Sequence, residues 1–166
     1  FLEFTTATQK HVRASGRLGV PGKVKQHRSN AAQRSLSPGT GDDAGHLIAN
    51  KFGAPGFAKN LSLQNRFANR TGTYRQLELD WERQLKRGVG IEVSVTDSYK
   101  LNEARPFHRS VHWTEIAPDG SVQHLELSFG NFHTPLSRQR QLESMPLPEK
   151  PEVIPVDFVG KRRLDR

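Results

Sequence analysis

The pattern of apolar and polar positions divides the chain into a strand-like opening, a polar loop, two brief strands, one amphipathic helix and a β-meander. Over residues 4–18, Thr, Val and basic residues alternate loosely and run into Gly16 and Gly19, which predicts one or two strands. Residues 20–41 hold Pro21, Gly22, Ser29, Asn30, Pro38 and Gly39 among Lys and Arg, the composition of an irregular basic loop; loops this long are more often functional than idle. Short apolar runs at 46–49 and 60–63, separated by the turn residues Gly53, Pro55 and Gly56, predict two brief strands. Tyr74, Leu77, Trp81 and Leu85 recur at spacings of three, four and four, which puts them on one face of a helix over 73–87. Thr73 and Gln76 have the spacing of a capping box, and Gly88 provides a left-handed stop. A helical turn over 66–70 precedes this helix, with Gly72 as a bend. Beyond it, Ile91, Val93 and Val95 alternate with polar residues, and further strands over 107–116 and 122–129 flank a Pro118-Asp119-Gly120 hairpin turn. After Pro135 the pattern decays into a segment rich in proline.

Antiparallel strands and helices segregated in this way predict an α+β fold. At 166 residues the chain is long enough for one core and short for two, so we expect one domain over residues 1–140 and a Pro-rich, basic C-terminal arm over 141–166. No apolar run approaches the eighteen or so residues of a membrane span, which predicts a soluble protein. The chain opens at Phe1 without methionine or a signal-peptide pattern, as a piece of a longer protein would. Lys and Arg number 25 against 17 Asp and Glu; the net charge of +8 favours a polyanionic partner such as nucleic acid. Cysteine is absent, which excludes disulfides, thiolate zinc sites and cysteine nucleophiles.

The chemistry concentrates in Gly41-Asp42-Asp43-Ala44-Gly45-His46-Leu47-Ile48-Ala49, followed by Asn60-Leu61-Ser62-Leu63-Gln64, Asn69 and Glu78. These elements, in this order, resemble the DNA/RNA non-specific endonuclease family. That family carries an Asp-Arg-Gly-His signature on the first strand of a strand-strand-helix finger, then an asparagine that holds one divalent metal. The resemblance implies a ββα-metal (His-Me) finger packed on an antiparallel β-sheet. It gives His46 the position of the general base, Asn69 that of the metal ligand, and Glu78 that of the carboxylate orienting metal-bound waters. Asn60 and Gln64 match supporting polar positions of the second strand. Ala44 departs from the pattern, because many members have arginine there. Arg28 and Arg34, upstream of the histidine, are the nearest candidates to replace that charge, while Arg66 and Arg70 are candidates for nucleic-acid contact.

These residue types suit phosphodiester hydrolysis without the family. A histidine with an ordinary pKa near 6.5 can take a proton from water, and a hard cation stabilises the phosphorane. Mg²⁺ prefers oxygen ligands and keeps several waters, so one amide oxygen with a carboxylate behind the waters suffices, and Mn²⁺ can substitute. Gly45 lets the backbone pass close to a ligand. Each residue also has a structural reading: His46 as a hydrogen-bonded core or surface histidine, Asn69 as a turn cap, Glu78 as a partner for a basic residue on its helix. Asp42 and Asp43 invite a metal reading; we prefer Asp43 as a structural carboxylate that ties the motif loop by accepting backbone hydrogen bonds. His108 and His112 are four apart in a strand-like run, too far for chelation. Arg138, Arg140, Lys161, Arg162 and Arg163 are read as solvated charge or phosphate contacts, and Trp113 and Phe129 as core.

The sequence thus predicts a metal-dependent, sequence-nonspecific endonuclease acting on DNA, RNA or both. The resemblance further implies a secreted antibacterial toxin domain, delivered into a target cell and neutralised in its producer by an acidic immunity protein. The competing reading is a noncatalytic nucleic-acid-binding module on the same scaffold, which would need the basic residues but not a base with a metal site.

Overall fold

A computed structural model describes residues 1–26, 29–36, 41–70, 72–131 and 154–155. In chain order these form β1 (Leu2–Thr5), β2 (Gln9–Arg17), α1 (Asn30–Leu36), β3 (Asp42–His46), β4 (Leu61–Asn65), α2 (Arg66–Arg70), α3 (Thr73–Lys86), β5 (Gly90–Lys100), β6 (His108–Ile116), β7 (Val122–Gly130) and β8 (Ile154–Pro155). Six strands make one antiparallel sheet in the order β1-β2-β5-β6-β7-β8, and β3 pairs with β4 in a separate two-stranded ribbon. The α+β class and the strand-strand-helix finger on an antiparallel sheet are as the sequence predicts.

Side chains alternate across a strand, so the register Ala14–Val95–Val111 and its neighbours Val93, Trp113 and Leu125 lie on one face of the sheet. Against that face α3 buries Tyr74, Leu77, Trp81 and Leu85, the four positions of its apolar stripe. Trp81, fully buried, meets Trp113 edge-on at 5.7 Å and also contacts the rings of Phe52 and Tyr74. Leu47, Ile48 and Phe52 enter the same core from the segment that leaves β3. Burying side chains of this size stabilises by about 1.5–3 kcal/mol each, so the segment next to the motif histidine is anchored by its apolar neighbours. Trp113 is core, and Phe129 packs at its margin.

Several local expectations change. The basic loop contains α1, seeded where Ser29 Oγ accepts from the Ala32 amide at 3.2 Å and sustained by the helix formers Ala31, Ala32 and Gln33. The first short strand lies earlier than the apolar run, at Asp42–His46, because Leu47 and Ile48 serve as core anchors rather than as ribbon residues. The second runs over Leu61–Asn65, with Asn60 in the preceding 3₁₀ turn. The capping box at Thr73 and Gln76 does not form: Thr73 is the first helical residue, and Gly72 holds the cap position without a side-chain bond. Gly88 does adopt φ +88°, and Gly120 closes the predicted hairpin at φ +84°. Of the expected C-terminal arm, Ile154–Pro155 pairs with Leu125 and Glu126 as an edge strand. The remainder of 141–166, with Arg138 and Arg140, lies outside the described residues. Among the described residues, no helix is long and apolar enough to cross a membrane.

Candidate active site

His46 ends β3, opposite Leu61, and its strand supplies the rest of the motif in register: Gly45 opposite Ser62, Ala44 opposite Leu63, Asp43 opposite Gln64. The carboxylate of Asp43 gathers three side chains from α2. Arg70 donates to it twice, at 2.7 and 2.9 Å, Asn69 donates its amide nitrogen at 3.1 Å, and Arg66 approaches to 3.4 Å. The backbone amides expected as partners of the Asp43 carboxylate are not the ones it meets: among the described residues its bonds are to the side chains of Arg66, Asn69 and Arg70. Its bond to Asn69 Nδ2 turns the amide oxygen toward Gly45. A Cβ built on Gly45 would lie 2.6 Å from that oxygen and 2.5 Å from Gln64 Nε2, so only glycine leaves room for the Asn69 oxygen at this strand.

The backbone around His46 is held at successive groups. The His46 carbonyl accepts from Gln64 Nε2 at 3.3 Å and from Arg109 Nη1 at 3.2 Å. The Leu47 carbonyl accepts from the buried Tyr74 hydroxyl, and the Leu47 amide donates to the Asn60 carbonyl at 2.9 Å. The Asn60 side chain accepts from the Ile48 amide at 3.0 Å and donates to the Ile48 and Pro55 carbonyls at 2.8 Å each. Asn60 and Gln64 thus both bond backbone carbonyls of the segment that begins at His46.

Glu78 projects from α3 and is 8% exposed. Burial pushes its carboxyl up from the usual range, against the opposing pull of Lys51, Arg75 and Arg109; Arg75 is the hydrogen-bonded neighbour, at 3.3 Å. Lys51 itself bonds Glu82 at 2.9 Å, and bonds from Lys51 and Lys86 hold the Glu82 carboxyl down at about 2. Arg109 links Glu78 to the motif: its charge acts on the carboxylate while its side chain touches the His46 backbone.

Arg34 is exposed on α1, which packs beside β3 and β4, and Arg28 lies outside the described residues. Arg66 and Arg70 are drawn to Asp43, with Arg70 the more exposed of the two. His108 and His112 lie in β6, as expected of a strand, and His112 faces Glu126 at 3.5 Å.

The sequence did not reveal the groups that tie finger to sheet. Arg105 grips the buried Asp42 carboxylate at 2.6 and 3.1 Å and donates to the Asn131 carbonyl. Asn131 donates to the Leu63 and Pro106 carbonyls at 2.8 Å and accepts from the Asn65 amide at 2.8 Å. Arg109 and Asp97 form a buried pair at 2.7 Å on both nitrogen–oxygen contacts. Apart from the Arg109–Asp97 pair, the bond from Arg109 to Ser62 and the contacts of Asn131 with Arg105 and Pro106 across one meander, their partners lie more than sixty residues away along the chain; the only sequence signal was a polar residue where an apolar one was due.

The donor set fits a hard cation. Asn69 offers one oriented oxygen in a space that a Cβ on Gly45 would fill, and among the described residues no group of three or more His, Asp or Glu could enclose a metal.

The profile of the DNA/RNA non-specific endonuclease family matches residues 8–115, well over half of the chain. Among solved structures, the EndoG/EndoGI complex, a study of EndoG inhibition, matches at TM-score 0.52 and 15% identity over 81% of this chain and 78% of that one. The Sda1 nuclease with a bound zinc ion matches at TM-score 0.53 and 16% identity over 75% and 69%. Among curated proteins no relative is found. The matched span contains β3, β4, α2 and α3 with every motif residue from Asp43 to Glu78, and on that ground the chain belongs to the DNA/RNA non-specific endonuclease family and is a nuclease.

Proposed function

We propose that the chain is a metal-dependent, sequence-nonspecific endonuclease in which His46 is the general base, Asn69 holds a single Mg²⁺, replaceable by Mn²⁺, and Glu78 orients waters. The observation that carries this reading is the cradle at Gly45, where the Asn69 amide oxygen, its amide fixed by Asp43, lies against the residue that precedes the histidine on β3. A bound cation would supply charge to the phosphorane and the leaving oxygen. His46, whose carbonyl is held from two sides, presents its imidazole to a water and takes its proton. Arg34, Arg66 and Arg70 border the finger and contribute phosphate contacts; such contacts fix register without reading bases. Arg28 belongs to the same basic segment as Arg34 and is proposed for the same duty.

We further propose that this nuclease is the toxin part of a larger secreted bacterial protein, delivered into a target cell's cytoplasm. An acidic immunity protein restrains it in the producing cell. The net charge of +8 supports an acidic partner through steered association, and the fold occurs in EndoG bound to its inhibitor EndoGI.

Plasmid degradation with Mg²⁺, Mn²⁺ or chelator tests the enzymatic reading. His46→Ala is expected to lose about 10²- to 10⁴-fold in rate with its melting temperature unchanged. Asn69→Ala is expected to weaken metal use and to recover in part with excess metal, which His46→Ala does not. Chelator-insensitive cleavage, or full activity in His46→Ala, would end the mechanism; binding without cleavage would favour the noncatalytic module.

A further inference from the structure

The core-facing file of β5 reads Ile91, Val93, Val95 and then Asp97, and the facing file of β6 reads Trp113, Val111 and then Arg109. An ion pair therefore replaces a hydrophobic pair where the sheet meets the finger. Arg109 is 2% exposed and Asp97 1%, so both charges have left water. Burial alone would push the Arg109 guanidinium down; the adjoining Asp97 outweighs it and holds the group firmly charged. Desolvating two charges costs several kcal/mol, and an apolar pair of similar volume commonly stabilises a fold as well or better. Stability is a weak reason for this pair.

The donor inventory of Arg109 shows a better one. Nε and Nη2 grip Asp97 at 2.7 Å, Nη2 also donates to Ser62 Oγ at 3.1 Å, and Nη1 donates to the His46 carbonyl at 3.2 Å. Its guanidinium carbon lies 4.7 Å from the centre of the Tyr74 ring, whose hydroxyl bonds the next carbonyl, that of Leu47. Asp97 fixes two nitrogens of a planar fork so that the third points at the backbone of the proposed base. Lysine, with one nitrogen, cannot hold these directions together.

We propose that Arg109, locked by Asp97, is a positioning residue: it fixes the peptide of His46 relative to the sheet and thereby aims the imidazole. The inference rests on His46 being the general base. Loss of the fork leaves Gln64 still donating to both the His46 carbonyl and Ser62 Oγ, so each of these acceptors keeps one donor while the strand end gains freedom. A displacement of about 1 Å at a reacting group costs on the order of 10²-fold in rate.

The test compares the wild-type chain, Arg109→Lys and the apolar double variant Arg109→Met/Asp97→Leu, each also in a His46→Gly background supplied with free imidazole. The double variant is expected to melt at or above the wild-type temperature, to lose about a hundredfold in kcat with KM little changed, and to exchange its Leu47 amide faster. In the His46→Gly background with imidazole, the Arg109 substitutions should cost nothing further, because the base is no longer tethered to the strand. A double variant with wild-type kcat overturns the inference. So does a loss that persists with imidazole, which would mean that Arg109 acts on substrate or metal, or through Glu78. If the double variant does not fold, Arg109→Lys decides by the same criteria, and if neither folds the pair is structural and the inference falls. Should the wild-type chain cleave nothing, the nuclease mechanism fails instead, and Leu47 exchange still decides: acceleration in the variants supports the positioning contact, and unchanged exchange refutes it.

Discussion

Gly45→Ala adds one methyl group and tests whether the cradle is as tight as its geometry says. The new Cβ would stand 2.5 Å from Gln64 Nε2 and 2.6 Å from Asn69 Oδ1, each about 1 Å inside ordinary contact, so both side chains must retreat. Neither is free to do so cheaply. Gln64 is buried and bonded to His46 and Ser62, and Asn69 is bonded to Asp43. Overpacking of this kind costs about 1–3 kcal/mol, which at about 2–4 °C per kcal/mol for a chain of this size lowers the melting temperature by about 2–12 °C. The functional loss should be larger, since moving Asn69 by about 1 Å displaces the proposed cation and costs on the order of 10²-fold in rate. Gly16→Ala is the internal control: nothing lies within 4 Å of its added Cβ, and replacing a strand glycine gains about 0.5–1 kcal/mol. Melting curves and plasmid cleavage at saturating and limiting Mg²⁺ read both effects. A Gly45→Ala protein that cleaves at the wild-type rate would refute the cradle, whatever its stability.

Glu78→Gln should melt higher than wild type at neutral pH while losing activity. The folded state raises the Glu78 pKa, so the group's stability contribution is fully present below its unfolded value and lost as pH rises through the raised folded value. The advantage of glutamine should therefore shrink to nothing as the pH falls toward about 4, and a pH-independent difference in melting temperature would contradict this origin. Arg105→Ala leaves the buried Asp42 carboxylate without its guanidinium and should cost up to about 3–5 kcal/mol in chemical denaturation, with loss of the Asn131 carbonyl contact included. A change below about 1 kcal/mol would show that water replaces the arginine. Digestion should yield a smear rather than discrete fragments, and affinity for DNA should fall tenfold or more between low and physiological salt if several phosphates are held; a fixed ladder of products would oppose nonspecific contact.

What the sequence revealed and what it hid follow from the range of the forces involved. The stripe Tyr74, Leu77, Trp81 and Leu85 was legible because helical periodicity is local, and all four residues are buried where the stripe points. The motif was legible because Asp43, Gly45, His46, Gln64 and Asn69 lie within one ribbon and the turn of helix after it, close enough in sequence for order to stand in for geometry. The strand β5, by contrast, was read only as far as Val95, although it continues to Lys100. Asp97 interrupted the apolar file, and an isolated aspartate at a core position looks like the end of a strand. Only the register with Arg109, across a turn and opposite it on β6, turns that aspartate into half of a buried pair. Ala44 shows the converse. The sequence marked a charge as missing from the motif strand, and the structure places cations around Glu78 from three other elements: Lys51 from a 3₁₀ turn, Arg75 from α3 and Arg109 from the sheet. Positive charge near a site can be supplied from any surface that folding brings close. A missing motif arginine is therefore weak evidence against activity, whereas a side chain in place of Gly45, where a Cβ would stand 2.6 Å from Asn69 Oδ1, would be strong evidence.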